Sequence, residues 1–330
     1  MDRRGLMRRL GAGLAFGVAT ALGTGAVQAQ TSFPSRPIRL LVGFAPGGPT
    51  DGAARTFAKA MEQHLGQTVV VENRPGANSL LAAMELLRSK PDGYTLLLAS
   101  NGTLTVAPAR FAKLPYDVKR DFTLIGPVMT YPHVLVVPSN NPATDFASFV
   151  RGAKARSGGL NGASVSHTND LALEWLHKLT GISISRIPYK GDAAAVGDLV
   201  AGRVDMALLA PNVAMPLVED KKLRAVALTA DGGVTSLSQL RSIKDSGLPS
   251  FEMEIWNSLV APAGTPADVV AKIAAALRKA QQSAEVQSSL ALSGLHVFGT
   301  STEELARRID REITQWRTIA REANLPLIEQ

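Results

Sequence analysis

Short apolar runs alternate with amphipathic segments along most of the chain. Unbroken apolar runs are typical of buried strands, and apolar residues spaced three or four apart are typical of helices. Ala54, Phe57, Met61 and Leu65 have the helical spacing, and Gly66 predicts where that helix ends. The strands predicted in this way are residues 38–42, 68–72, 94–99, 133–137, 183–188, 204–209, 224–229 and 256–261. Their alternation with helices predicts an α/β fold with mostly parallel sheets.

Cap residues mark several helix ends. Gly181 suits the C-terminal cap of one helix, and Thr265 followed by Pro266 predicts the N-cap and first residue of another. Ser301 and Glu304 form a capping-box pattern ahead of the last helix. The other predicted helices lie near residues 79–89, 144–156, 168–180 and 193–201.

The chain has 330 residues, which favours two domains of about 150 residues each. It contains no cysteine, so disulfides, thiolate zinc sites, iron–sulfur clusters and a cysteine nucleophile are excluded. Among the histidines only His167 and His177 are close in sequence, and their spacing does not make them neighbours on one helical face. We expect no metal and no cofactor.

Residues 1–29 have the pattern of an export signal. Four arginines precede an apolar stretch that ends in Val27-Gln28-Ala29, where small residues suit signal peptidase. Cleavage after Ala29 would remove those four arginines and one aspartate, which lowers the formal net charge from +7 to +4. A membrane anchor is the alternative. The modest charge, without a basic and aromatic patch, argues against nucleic-acid binding.

The strongest local feature is the loop from Phe44 to Asp51, which follows a predicted strand and opens a helix. Its glycines allow the backbone to approach a ligand, and a helix start offers unpaired N–H groups. Such a terminus favours a carboxylate or a phosphate. The alternative is a plain tight turn at Gly47-Gly48, with Asp51 complementing the helix dipole.

Two further polar segments follow predicted strands. Ser100 to Thr103 is the first, and Asn161 to Asp170, dense in hydroxyl and amide groups, is the second. The second could form another anion-facing helix start. The alternative is a capped loop with Thr168 or Asn169 as the N-cap. Ligands of open α/β sheets lie beyond the carboxyl ends of the strands. We therefore expect all three polar segments to face one cleft.

In this order, these segments resemble the periplasmic solute-binding proteins of tripartite tricarboxylate transporters, the Bug or TctC-like family. The resemblance covers essentially the whole chain after the signal. The matching stretches are Arg36–Val42, Pro46-Gly47-Gly48 with Asp51, Val69–Ala77, Asp92–Leu96, Tyr116-Asp117 with Asp121-Phe122, Pro188–Gly191, Gly202–Asp205, Ala261–Pro266, and Glu312 with Trp316.

The resemblance implies a two-domain periplasmic-binding-protein fold of type II, with a cleft between two mostly parallel-core sheets. Domain one would combine residues 31–132 with 253–330, and domain two would be residues 133–252, with hinge crossovers near 134–138 and 256–261. It also implies a non-enzymatic periplasmic monomer that holds a small organic acid and docks on transporter membrane subunits. Arg3-Arg4 is compatible with twin-arginine export, and the general secretory (Sec) route is the alternative. The ligand-binding residues expected from the loops and the resemblance are Ala45, Pro46, Gly47, Gly48, Asp51, Ser100, Asn101, Ser164, Ser166, His167 and Thr168.

The sequence departs from the family pattern in three places. The family commonly has Gly-Ala-Gly-Gly where this chain has Gly76-Ala77-Asn78-Ser79. The second loop, Ser164 to Thr168, is shorter and has lost its glycines, and Asp170-Leu171 replaces a His-Leu pair. A frequent acidic position falls on Leu209, which argues against recognition of a ligand amine there. These departures favour a monocarboxylate, or a ligand larger and less polar than a dicarboxylate.

The sequence also allows other interpretations. Arg74 and Lys190 are further candidates for carboxylate contact, with surface ion pairs as the alternative. The protein could be an orphan ligand sensor that feeds a signalling partner. It could also be a periplasmic hydrolase that uses Ser164 or Ser166 with His167, although neighbours on one loop rarely reach the geometry of a nucleophile and its base.

Overall fold

The computed structural model describes residues 33–329. The predicted signal peptide, residues 1–29, lies outside this range, so it stays a prediction. No helix in the described range combines the length and apolar character needed to cross a membrane.

The first half of the described chain builds most of one sheet and the helices around it. Its elements are β1 (Ile38–Val42), α1 (Pro49–Leu65), β2 (Val69–Asn73), α2 (Leu80–Leu87), β3 (Thr95–Ser100), α3 (Ala107–Arg110), α4 (Val118–Asp121) and β4 (Phe122–Pro132). A 3₁₀ turn, Ala77–Ser79, precedes α2, and a π-helical turn, Gly102–Val106, precedes α3.

The following residues build a second sheet and then return to the first. The second-sheet elements are β5 (Val134–Pro138), α5 (Phe146–Ala155), β6 (Leu160–Ser164), α6 (His167–Thr180), β7 (Ile184–Pro188), α7 (Asp192–Val200), β8 (Met206–Leu209), α8 (Pro211–Glu219) and β9 (Leu223–Leu228). The chain ends with β10 (Glu254–Pro262), α9 (Ala267–Gln282), α10 (Ala284–Leu292), β11 (His296–Val297) and α11 (Thr302–Glu322).

The predicted α/β fold with two sheets is confirmed. The first sheet has the order β11-β4-β10-β3-β1-β2 and the second β7-β6-β8-β5-β9. Each contains three adjacent parallel strands, β3-β1-β2 and β7-β6-β8, and the remaining neighbours pair antiparallel. The antiparallel share is larger than the sequence predicted, because β4 and β10 pair along most of their length.

Several predicted boundaries need correction. The N-cap of α6 is Ser166, not Thr168 or Asn169, and its hydroxyl accepts a hydrogen bond from the Asn169 N–H at 3.1 Å. The N-cap of α9 is Pro266, not Thr265, whose hydroxyl instead donates to the Pro262 carbonyl at 2.7 Å. The predicted cap at Ser301 is confirmed, since its hydroxyl accepts from the Glu304 N–H at 3.1 Å.

The strand directions bring the two sheets edge to edge. β4 and β3 both run antiparallel to β10, so the carboxyl ends of β1, β2, β3 and β4 share one edge. In the second sheet, the first residue of β5, Val134, pairs with the last residues of β8 and β9. Only His133 separates β4 from β5. The carboxyl edges of the two sheets therefore face each other.

A compact crossing joins the sheets. The His133 N–H donates to the Thr229 hydroxyl at 2.8 Å, and the Thr229 N–H donates to the His133 carbonyl at 2.9 Å. The returning chain joins this pair through the Met253 N–H, which donates to the Thr229 carbonyl at 2.9 Å. Both passages between the sheets are thus held side by side at one point.

Aromatic packing beside the crossing also links the two sheets. The ring of Trp175, on α6, lies 4.9 Å from Phe251 and 6.0 Å from Trp316, on α11. All three side chains are buried. The contact fixes α6, which carries the second predicted polar segment, against a helix that covers the first sheet.

Candidate functional site

The first predicted loop is an exposed connection at the carboxyl edge of the first sheet. Ala45, Pro46 and Gly47 are exposed, and Gly47 has a φ of +87°, which glycine adopts without strain. No side chain caps α1 at Gly48. Pro49 has no N–H, so the N–H groups of Thr50 and Asp51 are the donors of the first helical turn without a partner in the helix, an arrangement that suits an anion.

Asp51 braces this loop from inside. Its side chain is 4% exposed and accepts hydrogen bonds from the Gly47 N–H at 3.0 Å, the Asn73 amide at 2.9 Å and the Arg55 guanidinium at 3.0 and 3.1 Å. Burial raises its pKa, but the bonds from Arg55, Gly47 and Asn73 outweigh that effect and hold the pKa below its usual value. Both carboxylate oxygens are engaged, so Asp51 shapes the loop.

Asn73 supports the first loop from the neighbouring strand, and sequence reasoning did not single it out. It ends β2, and its amide donates both to Asp51 and to the Phe44 carbonyl at 3.0 Å. It therefore ties the start of the loop to the first turn of α1. The signal that could have found it is its place beside the carboxyl end of β2, within the motif Val69–Ala77.

A second close contact lies at the base of the same loop. A Cβ built on Gly43 would lie 1.8 Å from Oγ, 2.3 Å from Cβ and 2.7 Å from Cα of Ser79. Ala77, Asn78 and Ser79 have φ values of 46°, 51° and 72°, which residues other than glycine rarely adopt. Asn78-Ser79 thus carries left-handed backbone at the position where the family commonly has two glycines.

Ser100 and Asn101 lie at the end of β3 and are 3% and 1% exposed. The Asn101 amide donates to the Glu254 carbonyl at 3.2 Å, which ties it to the start of β10. A Cβ built on Gly102 would lie 3.2 Å from the Ser100 hydroxyl and 3.5 Å from the Thr168 hydroxyl. Ser100 and Thr168, predicted from separate segments, therefore meet at the facing edges.

The second predicted segment forms the end of β6 and the start of α6. Ser166 caps α6, and the Ser164 hydroxyl donates to Asp170 at 3.3 Å. The His167 ring lies 5.6 Å from Phe111, which follows α3. Burial and then the nearby charge of Arg110 lower the pKa of His167, so its imidazole is neutral at pH 7.

A cluster of charges behind this segment was missed. Arg110, on α3 and 5% exposed, lies 3.8 Å from Asp170 on α6 and donates to the Pro326 carbonyl at 2.9 Å. Arg186, on β7, lies 3.4 Å from the same carboxylate and 3.7 Å from Glu174. Arg110 was hard to find from the sequence, because only the folded chain brings it to Asp170.

Arg74 and Lys190, the two basic residues considered for carboxylate contact, lie in different surroundings. Arg74 forms 2.8 Å ion pairs with Glu72 and with Glu85, so the alternative interpretation as an ion pair is confirmed for it. Lys190 is exposed in the turn after β7. The hydrolase interpretation gains no support, because within residues 33–329 neither Ser164 nor Ser166 is hydrogen-bonded to His167.

Several buried polar atoms in the described range lack a hydrogen-bond partner, and most belong to the facing edges. Buried polar groups nearly always have partners in folded proteins, supplied by protein or by water. Such atoms are therefore the expected lining of a polar recess between the sheets. Those at the edges and the crossing, apart from the ion-paired Arg186, are Ser79 Oγ, Arg110 Nε, His133 Nδ1, Asn169 Oδ1, Asn212 Oδ1, and Nδ2 and Oδ1 of Asn257.

Two titratable groups near the crossing oppose each other in their effect on stability. Burial lowers the pKa of His133 to about 4, from 6.5 in an unfolded chain. Burial also raises the pKa of Asp192 to about 6, from 3.8, although the Ala210 N–H bond opposes the rise. As the pH falls below 6.5, the unfolded state binds more protons at residue 133, whereas the folded state binds more at residue 192.

We therefore expect His133→Asn and Asp192→Asn to change the acid dependence of stability in opposite directions. When the pH falls from neutral to about 5, the free energy of unfolding of His133→Asn should rise by about 2 kcal/mol relative to that of the wild type. The reason is that one pKa unit corresponds to about 1.4 kcal/mol. The free energy of unfolding of Asp192→Asn should fall by about 1 kcal/mol relative to that of the wild type over the same range. Guanidinium denaturation without ligand measures both. Differences from the wild type that do not vary with pH would contradict the assignment.

The sequence and fold of this chain match those of a known protein family. A sequence profile described as "Tripartite tricarboxylate transporter family receptor" matches residues 53–325, which starts just after the first loop. Protein BugT of Bordetella pertussis (strain Tohama I) is 31% identical over 324 residues, covering 97% of this chain and 99% of BugT.

Two solved structures share the whole fold. Rpa4515 of R. palustris, determined with adipate, is 29% identical with a TM-score of 0.82, over 90% of this chain and 100% of that chain. MatC (Rpa3494) from Rhodopseudomonas palustris, with bound malate, is 30% identical with a TM-score of 0.77, over 87% of this chain and 99% of that chain. The predicted resemblance is thus confirmed, and this chain belongs to the tripartite tricarboxylate transporter receptor family.

Proposed function

We propose that this protein is a periplasmic solute-binding protein that holds a small organic acid between its two sheets. The observation that carries the proposal is the pair of facing carboxyl edges. One presents the uncapped start of α1, and both carry buried polar atoms without partners. Similarity to proteins whose structures contain adipate and malate supports a carboxylate as the ligand.

The first loop would hold the carboxylate. The backbone N–H groups of Gly48, Thr50 and Asp51 would supply the donors, beside the exposed Ala45, Pro46 and Gly47. Ser100 and Asn101, which are buried at the end of β3, would lie at the base of the site. On the other edge, Ser164, Ser166, His167 and Thr168 would contact the rest of the solute. These residues would contact the solute through hydroxyl groups and a neutral imidazole, which suit a neutral or hydroxyl-bearing part of the ligand.

Two domains would close around the solute. Domain one would comprise residues 31–132 and 253–330, and domain two residues 133–252, a division that matches the membership of the two sheets. The hinge would be the crossing formed by His133, Thr229 and Met253. The positions expected from the resemblance, 134–138 and 256–261, lie within β5 and β10, whereas a hinge concentrates the change of backbone angles in a few residues at element ends. The closed protein, a monomer, would then dock on the membrane subunits of a transporter and release the solute without chemical change.

A panel of organic acids tests this function. We expect at least one of propionate, succinate, adipate or their hydroxy derivatives to raise the midpoint of thermal unfolding, since a ligand at about 100 times its Kd adds about 2.7 kcal/mol to the stability. Small-angle X-ray scattering on the same complex should show a smaller radius of gyration, as closure requires. The matching amides, such as succinamide and adipamide, are the control and should have no effect.

Three results would count against the proposal. The first is an intact fold that no acid in the panel stabilises. The second is equal stabilisation by an acid and its amide, because the loop would then not be recognising a carboxylate. The third is turnover of the bound acid, detected by mass spectrometry of the recovered ligand, which would indicate an enzyme.

A further inference from the structure

Asp192 is a carboxylate over the strand ends of the second sheet. It opens α7, and its Oδ2 accepts a hydrogen bond from the Ala210 N–H at 2.8 Å. Ala210 lies between β8 and α8, whereas Asp192 follows β7. Because β6 separates β7 from β8 in the sheet, the side chain reaches across the end of β6. That strand end leads into the segment Ser164–Thr168.

The acceptor capacity of Asp192 is only partly used. The Ala210 N–H is its one hydrogen-bond donor within residues 33–329, so Oδ1 has no partner there. An ionised carboxylate accepts hydrogen bonds on both oxygens. The residue as a whole is half-buried, at the first position of α7. Burial is the main cause of its raised pKa, and within residues 33–329 only the hydrogen bond from the Ala210 N–H opposes that rise. The charge is therefore poorly compensated by the protein.

A buried tyrosine lies at the carboxyl edge of the first sheet, close enough for the charge of Asp192 to affect it. Tyr131, near the end of β4, is 4% exposed, and its ring lies 5.9 Å from that of His133. Burial and then the negative charge of Asp192 raise the pKa of Tyr131, so Asp192 acts on the opposite edge. Neither Tyr131 nor neutral His133 supplies a positive charge. Within residues 33–329 neither ring is hydrogen-bonded to Asp192, so Oδ1 is left to a donor on a solute that enters between the edges.

We propose that Asp192 selects solutes that carry a hydroxyl or ammonium group in addition to a carboxylate, by accepting a hydrogen bond from that group. The inference rests on the proposed function, since it places the solute between the edges. A solute without such a donor would bury the Asp192 charge with one partner only, which is unfavourable. A solute with such a donor would bind the first loop through its carboxylate and Asp192, on α7, through its hydroxyl or ammonium group.

Isothermal titration calorimetry with matched acids tests this selection. The three series are propionate, lactate and alanine; succinate, malate and aspartate; and adipate, 2-hydroxyadipate and 2-aminoadipate. In the wild type, we expect a hydroxy or amino acid to bind about tenfold or more tightly than its parent acid in at least one series. The hydroxy and amino members distinguish which donor is preferred.

The variant Asp192→Asn should abolish that advantage. Its amide oxygen can still accept from Ala210, but its NH₂ group replaces the free acceptor and opposes a solute donor. The matched control is Asp220→Asn, an exposed aspartate just past the opposite end of α8, which should keep the advantage. Thermal unfolding without ligand checks that both variants fold.

The outcomes separate the two proposals. If the wild type binds an acid but shows no donor advantage, or if Asp192→Asn retains the advantage, the role of Asp192 is wrong while the proposed function stands. If Asp220→Asn also loses it, the effect is one of net charge and the role of Asp192 is again wrong. If the folded wild type binds none of the nine compounds, the proposed function fails and this inference fails with it.

Discussion

Replacing Gly43 by alanine should lower the free energy of unfolding by about 3 kcal/mol or more. The new Cβ would lie 1.8 Å from the hydroxyl oxygen and 2.7 Å from the Cα of Ser79, closer than any packed atoms can approach. The two segments belong to neighbouring strand ends of the first sheet, so separating them distorts the base of the first loop. Equilibrium denaturation with guanidinium measures the loss, and acid binding should weaken with it.

Ser79→Gly is the matched partner for this experiment. On its own it should raise the stability by about 1 kcal/mol, because it removes a side chain from a φ of 72° and a buried hydroxyl without a partner. Combined with Gly43→Ala, it should restore part of the loss, since the clash with the serine side chain disappears and only the clash with the backbone of residue 79 remains. A Gly43→Ala protein as stable as the wild type would contradict the packing of these segments.

Replacing Asp51 by alanine should weaken acid binding about 100-fold and lower the free energy of unfolding by about 3 kcal/mol. The change removes the acceptor for Gly47, Asn73 and Arg55 at once and leaves the Asn73 amide with the Phe44 carbonyl alone. The loop should then lose the shape that presents its amides to a carboxylate. Calorimetry with the acid that binds the wild type, together with denaturation, measures the two effects.

Asp268→Ala provides the control for Asp51→Ala. Asp268 also lies in the first turn of a helix, α9, but it is exposed. Its removal should cost under about 1 kcal/mol through the helix dipole and leave binding unchanged. If Asp51→Ala folds and binds acid as tightly as the wild type does, the first loop is not the carboxylate site.

The sequence predicted the elements whose cause is local. The run Ile38–Val42 is apolar throughout except for Arg39, and it forms β1 as expected. The spacing of Ala54, Phe57, Met61 and Leu65, followed by Gly66, predicts α1 and its left-handed cap at a φ of 69°. These features depend on neighbours within a few positions along the chain, which a pattern of apolar and polar residues records directly.

Elements stabilised by distant partners were not predictable in this way. β6 has the sequence Leu-Asn-Gly-Ala-Ser, which lacks β-branched residues, so its pattern indicates a polar loop. It is a strand because β7 and β8 pair with it on both sides. The pattern does not predict β4, because Gly126-Pro127 interrupts its apolar residues, yet β10 pairs along it across two register shifts.

The candidate site also combines features with a local cause, which the sequence predicts, and features that depend on distant partners. Its position after the first strand followed from the Pro-Gly-Gly loop and the helix start. The bracing of Asp51 by Asn73 depends on a residue from the next strand, and the contact of Arg110 with Asp170 depends on the approach of the two sheets. The role that we propose for Asp192 has no signal in the sequence, because an aspartate in the first turn of a helix is common for the helix dipole alone.

The order of strands in the first sheet bears on how the chain folds. β10 lies between β3 and β4, although more than a hundred residues separate it from either in sequence. A growing chain that has not yet reached residue 254 has the partners of the second sheet but a gap in the middle of the first. The inner edges of β3 and β4 stay unpaired until the last quarter of the chain arrives, and unpaired strand edges are prone to aggregation. Completion of the first sheet, and with it the carboxylate loop, is therefore the late step in biogenesis.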